Sequence, residues 1–170
     1  MSLQDKKMLD MKIFQKLINL EEYKNSEFVL VYVSSSIEVD THKIIEYSFK
    51  INKRVLAPRC IPDTNLMEFC EISSFDDLES GAFGIMEPKD KCERIQSFAS
   101  NSCCIVPALA YDKKGYRLGF GKGFYDRFLD KYKGQKIGLC YSSCMTDRLP
   151  YDVLDKTVNC VVTDHDIITF

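Results

Sequence analysis

The chain has 170 residues, 45% of them hydrophobic, with a formal net charge of −2 and a pI near 5.7. A chain of this length buries roughly two thirds of its unfolded surface, enough for a sizeable core. The charge balance excludes the basic footprint of a nucleic-acid binder but leaves a small anionic ligand open.

No apolar stretch approaches the ~18 residues of a membrane span, and the amino terminus lacks the apolar segment of a signal peptide. A cytoplasmic protein without membrane or nucleic-acid partners is expected, a single domain over residues 1–170 acting as a monomer. Eight cysteines sit mostly in apolar runs and contain no C-x-x-C pair, so they read as reduced core residues. His42 and His165 lack ligand-like spacing to any cysteine, and no zinc site is expected.

In chain order, Met8 to Leu20 places Leu9, Ile13, Phe14, Leu17 and Ile18 at three- and four-residue spacing, which predicts an amphipathic helix. Phe28 to Val33 is a continuous β-prone run, broken by Ser34-Ser35-Ser36. Asp40 or Thr41 then caps a helix carrying Ile44, Ile45 and Phe49. Arg54 to Ala57 gives a short strand ending at Pro58, and Met67 to Ile72 an edge strand after turn residues. Ser73-Ser74 opens an acidic turn, Gly81 to Pro88 is loop by composition, and Glu93 to Ser100 reads as a short helix. Cys103 to Ala110 is a buried strand. Lys136 to Tyr141 and Val158 to Thr163 are two more, with a turn-rich segment between them.

Apolar strands alternating with helices predict a three-layer, Rossmann-like α/β fold, a mainly parallel sheet with helices on both faces. In such folds ligands bind beyond the strand carboxyl ends. That rule gathers the Ser34 to Asp40 loop, the Pro58-Arg59 corner, the Tyr111 to Asp126 loop and the Ser142 to Asp155 segment around one crevice.

The most informative stretch is Tyr111 to Tyr132, YDKKGYRLGFGKGFYDRFLDKY, between the Cys103 strand and a helix with Phe124, Phe128, Leu129 and Tyr132 on one face. Gly119, Gly121 and Gly123 leave backbone N–H groups uncovered, and the next helix points its positive end at whatever occupies the loop. Neither a Walker A loop nor the G-x-G-x-x-G dinucleotide fingerprint fits. Arg117 and Lys122 add cationic reach, and Asp126 falls where a carboxylate can hold a divalent ion. The residues therefore suggest a nucleotide polyphosphate with magnesium.

The string VPALAYDKKGYRLGFGKGFYDRFL resembles the signature of the 5-formyltetrahydrofolate cyclo-ligase family, roughly D-x-x-G-x-R-L-G-x-G-x-G-[YF]-Y-D. SSIEVDTHKII, VLAPR, FGIMEP and LPYDVLDKTVNCVVTD are similar to further family segments, so the resemblance covers about residues 13–164. It implies an enzyme that uses ATP and Mg2+ to convert 5-formyltetrahydrofolate to 5,10-methenyltetrahydrofolate, releasing ADP and phosphate. It also implies that Arg117, Gly119, Gly121, Lys122, Gly123, Phe124 and Tyr125 line the ATP, with Arg117 and Lys122 catalytic. Val33, Glu38, Phe120 and Tyr125 would meet the folate, and Asp126 with Asp155 the metal.

The sequence departs from the family pattern in three places. The usual amino-terminal helix with its Lys-x-x-x-Arg cations is not matched, since the chain begins about one helix too late. A glutamine is replaced near Cys144, and Asn159 stands where an acid is usual. Two alternatives stay open at this point: a folate- or nucleotide-binding regulatory protein with weak turnover, and a sugar-phosphate isomerase or deaminase on a similar scaffold.

Overall fold

The computed structural model describes residues 1–98 and 101–170. Helix α1 spans Leu3–Ile18 and starts in a capping box, in which the Asp5 N–H donates to Ser2 Oγ at 3.1 Å and the Ser2 N–H to Asp5 Oδ2 at 3.4 Å. The one-turn α2 (Glu21–Lys24) leads into β1 (Phe28–Val31), whose four residues are all buried. Helix α3 (His42–Lys50) follows Thr41, whose side chain makes no capping bond, while Asp40 Oδ1 accepts the His42 N–H at 3.0 Å.

Next come β2 (Arg54–Cys60), β3 (Met67–Ile72), the hairpin of β4 (Leu78–Ser80) and β5 (Met86–Pro88), and β6 (Arg94–Ile95). Strand β7 (Ser102–Val106) stops at Pro107, and the hairpin of β8 (Ala110–Asp112) and β9 (Arg117–Leu118) precedes α4 (Phe124–Lys131). The chain closes with β10 (Gln135–Leu139), β11 (Met145–Thr146), β12 (Cys160–Val162) and β13 (Ile167–Thr169).

Eight strands form one sheet in the order β13-β12-β10-β7-β1-β2-β3-β6. The five inner strands from β12 to β2 run parallel, while β13, β3 and β6 add antiparallel pairs at the flanks. Alternate residues of β1 serve opposite layers. Val29 and Val31 pack with Ile13 and Leu17 of α1 and Ile44 and Ile45 of α3, whereas Phe28 and Leu30 pack with Leu129 of α4 and Tyr111. That two-sided burial is why the parallel strands read as unbroken apolar runs. All eight cysteines are free, and six are buried.

Several boundaries differ from the sequence reading. Strand β2 runs to Cys60 instead of ending at Pro58. Its register with β1 stops at Leu56, and beyond that it has a neighbour on one flank only, where a residue lacking N–H is tolerated. Strand β3 is not an edge, because β6 pairs outside it, Phe69 opposite Ile95. The expected Glu93 helix is therefore extended at Arg94–Ile95, where Arg94 bridges Glu68 and Asp90 at 3.1 and 2.6 Å. Ala99 and Ser100, at the end of that expected helix, lie outside the described residues.

Candidate active site

The β8–β9 hairpin presents the glycine loop, and one carboxylate shapes it. Asp112 is fully buried: its Oδ1 accepts the N–H groups of Lys114 and Tyr116 at 2.9 and 3.0 Å, and its Oδ2 accepts that of Leu149 at 3.0 Å. Three donors offset the cost of burying the charge. The Leu149 bond ties the hairpin to the segment after β11, and Tyr151 of that segment stacks on Tyr116 of the hairpin, with ring centroids 3.9 Å apart.

Arg117 lies beneath the loop, its side chain only 7% exposed. Its Nη1 is 3.0 Å from Asp126 Oδ1 and donates to the Lys156 carbonyl at 3.1 Å, while the Lys156 N–H donates back to Asp126 Oδ1 at 3.0 Å. Arg117 and Asp126, on either side of the three glycines, thus close a ring that includes the carboxy-terminal loop. Nε and Nη2 of Arg117 have no protein partner among the described residues.

Above this brace the loop backbone is open. A Cβ placed on Gly119 or Gly121 would meet nothing within 4 Å. Gly123 caps α4 in the left-handed region, φ +71°, and a Cβ there would come within 2.5 Å of the Arg127 guanidinium. Lys122 is exposed and holds its ammonium 4.3 Å from the centroid of the Phe83 ring, and Phe83 in turn meets Phe124 edge-on at 6.4 Å. Phe83 is 63% exposed and itself left-handed, φ +59°. A conformation costing roughly 1–2 kcal/mol for such a residue places an aromatic wall opposite the loop. Phe120 is exposed on the loop.

Tyr125 faces inward from the first turn of α4. Its hydroxyl is buried and has no hydrogen-bond partner among the described residues. Burial pushes its pKa well above the usual phenol value, with the nearby Cys104 and the Glu38 carboxylate adding in the same direction, so it is a neutral O–H at any working pH. Burial raises Tyr32 likewise, again with Glu38 contributing. Glu38 therefore shares its surroundings with both phenols. Its Oε2 accepts the N–H and hydroxyl of Ser35, each at 2.8 Å, and Val33 is buried at the base of the same loop.

Asp155 sits in a turn, where its Oδ2 accepts the Asp152 N–H at 2.8 Å. It directly precedes Lys156, so the ring through Arg117 brings Asp155 and Asp126 to the same loop. Among the described residues no group of three or more metal-ligating side chains forms. Two carboxylates suit magnesium, which takes few protein ligands and fills its shell with phosphate and water oxygens. A groove of about 530 Å³ on the outer flank of α4, lined by Leu66, Phe98, Phe124, Arg127, Phe128 and Lys131 among others, shares only Phe124 with this constellation.

The geometry gathers Arg117, the three glycines, Lys122, Phe124, Tyr125 and Asp126 on one loop and helix start, as their order in the chain requires. The sequence reading passed over Asp112, Phe83 and the backbone of Lys156. Asp112 carried a signal as the first residue of the D-x-x-G-x-R pattern. Phe83 carried none, because a lone aromatic in a glycine-rich segment looks like any loop residue.

The sequence pattern of the 5-formyltetrahydrofolate cyclo-ligase family matches residues 1–164. The chain belongs to that family. It is therefore an enzyme of the ligase class, and its chemistry lies in folate one-carbon metabolism. Family relatives include the 5-formyltetrahydrofolate cyclo-ligase of Mycoplasma pneumoniae, 34% identical over 91% of this chain and 87% of its own, and a probable one of Schizosaccharomyces pombe, 29% identical over 92% and 84%. The solution structure of Aquifex aeolicus 5,10-methenyltetrahydrofolate synthetase superposes with a TM-score of 0.85 at 35% identity, covering 99% of this chain and 84% of that one. Cyclo-ligase relatives thus share the α/β architecture expected from the strand pattern, and the sugar-phosphate isomerase alternative falls away. No helix among the described residues is long and apolar enough to cross a membrane.

Proposed function

We propose that the chain catalyses the ATP-dependent closure of 5-formyltetrahydrofolate to 5,10-methenyltetrahydrofolate at the crevice between the glycine loop and the Glu38 loop. The observation that carries this reading is the glycine loop, whose backbone stands open at Gly119 and Gly121 beside the exposed Lys122 and next to the Arg117–Asp126 pair. Uncovered backbone N–H groups at a helix start with a cation beside them suit a polyphosphate.

In the reaction the formyl oxygen attacks the γ-phosphorus and ADP leaves; N10 then attacks the activated carbon and loses its proton as phosphate departs. No protein nucleophile is required, so positioning and charge neutralisation do the work. The N–H groups of Gly119 to Gly123 and the ammonium of Lys122 meet the phosphates. Arg117 fixes the loop from below and offers its free Nε and Nη2 edge. Asp126 and Asp155 would hold magnesium, which supplies neutralisation of charge on the polyphosphate. Glu38, Val33, Phe120 and Tyr125 take the folate side, and the Phe83 wall excludes water from the transferred group.

Mixing the protein with 5-formyltetrahydrofolate, ATP and Mg2+ and following the methenyl chromophore tests the reading. Product should require all three together. Product formed without nucleotide, or ATP consumed at the same rate without folate, overturns it.

A further inference from the structure

Glu87, Asp112 and Asp10 are the buried glutamate and aspartates of the described residues. Two of them lie in segments already described: Glu87 accepts the Cys60 N–H, and Asp112 ties its hairpin to Leu149. Asp10 is different. It sits midway along α1, outside every motif of the sequence, and one carboxylate joins three parts of the fold. Its Oδ2 is 2.8 Å from Lys6 Nζ, and its Oδ1 accepts the Tyr141 hydroxyl at 2.7 Å and the Asp40 N–H at 3.2 Å.

Asp40 lies two residues after Glu38, and Tyr141 lies just beyond the end of β10. The loop that carries Glu38 and Asp40, from Ser34 to Thr41, is stitched into a unit by its own bonds. Ser34 N–H donates to Thr41 Oγ1 at 3.1 Å, Thr41 N–H to Ser34 Oγ at 3.0 Å, and the Thr41 hydroxyl to the Tyr32 carbonyl at 2.6 Å. Such a unit shifts as a body. Asp10 fixes where that body stands relative to β10 and α1.

Core filling does not account for the charge. Ile13 and Leu17 already cover the sheet from the same helix, and an apolar residue of similar size in place of a buried ion pair is commonly neutral or stabilising. What a carboxylate adds is direction, since each oxygen requires its donors at a set distance and angle.

We propose that Asp10 is a positioning residue for the reduced folate. It touches no ligand, and it holds the Glu38 loop in the one placement that leaves the folate side of the crevice preformed. The inference rests on the reading of Glu38 and its neighbours as the folate wall. If the untethered loop spends about a tenth of its time in the competent placement, the apparent affinity for folate falls about tenfold by population alone.

The test is steady-state kinetics of Asp10→Leu, Asp10→Asn and Tyr141→Phe beside the wild type, with folding checked by circular dichroism. Asp10→Leu removes all three bonds and should raise KM for 5-formyltetrahydrofolate about tenfold, with kcat and the KM for ATP within twofold of wild type. Asp10→Asn keeps a carbonyl oxygen for Tyr141 and Asp40 and should recover most of that loss. If Asp10→Leu does not fold, Tyr141→Phe carries the same split at roughly two- to fivefold. An unchanged folate KM, an equal rise in both KM values, or a failure of asparagine to rescue overturns the proposal. A wild type that forms no methenyl product overturns the reading of the reaction instead, and this inference falls with it.

Discussion

Arg117 is placed to serve the fold as well as the proposed reaction. Taken with the glycines, a guanidinium there suggests a phosphate contact and little else. Its position changes the expectation, because the Asp126 carboxylate and the Lys156 carbonyl already occupy Nη1. Breaking a fully buried pair costs about 3–5 kcal/mol. Asp126 is partly wet, so Arg117→Ala should lose about 1–3 kcal/mol by urea midpoint as well as roughly tenfold to a hundredfold in kcat/KM. A variant as stable as wild type would show that the brace is not formed in solution. The Asp40 and His42 pair gives a second expectation. The hydrogen bond that the His42 ring donates to the Asp40 carboxylate holds Asp40 down at about 2 and raises His42. Asp40 therefore contributes above its unfolded pKa near 4 and loses this as pH falls toward 2. His42 contributes below about 6.5 and loses this as pH climbs through its raised value. Both groups are at least a third exposed, so stability should drop by only a few tenths of a kcal/mol from pH 6 to pH 9. Urea titrations at the two pH values should show that drop shrinking in His42→Gln.

At the scale of elements, the glycine loop separates into parts that hold its shape and parts that leave room. Gly123→Ala forces a left-handed alanine against Arg127 and should cost about 1–2 kcal/mol or more. Gly119→Ala meets no atom and should leave the melting temperature nearly unchanged while raising KM for ATP, because the proposed binding mode brings the phosphates to that stretch of backbone. Thermal melts and ATP kinetics on the two variants check this. Equal effects on stability would remove the distinction. The parallel strands were legible because each is buried on both faces, which leaves no polar alternation to confuse the reading. Strand β6 was not, since Ile95 and Phe98 stand at helical spacing, and it is the pairing with β3, distant in sequence, that draws the segment out. Strand β13 was hidden for a similar reason: three residues at a sheet edge carry too little pattern. In the site, residues adjacent in the motif could be assembled from sequence, but the bonds from Asp112 to Leu149 and from Arg117 to Lys156 cross more than thirty positions and have no local signature.

Across the whole molecule, those long-range bonds set an order of assembly. The inner strands β1, β2 and β7 and all but one of the helices precede the glycine loop in the chain, while its braces come from Leu149, Lys156 and, packed against Gly115, the ring of Phe170. Contacts so far apart in sequence are slow to form, because the loop they close must be ordered before they give anything back. On a ribosome the anion loop would emerge with its glycines in place but its underside unfastened, Arg117 and Asp126 lacking the segment that joins them. A nascent chain paused near Tyr141 would own most of a sheet and none of a finished binding site. The loop would gain its braces only once the segment from Leu149 to Lys156 had followed it.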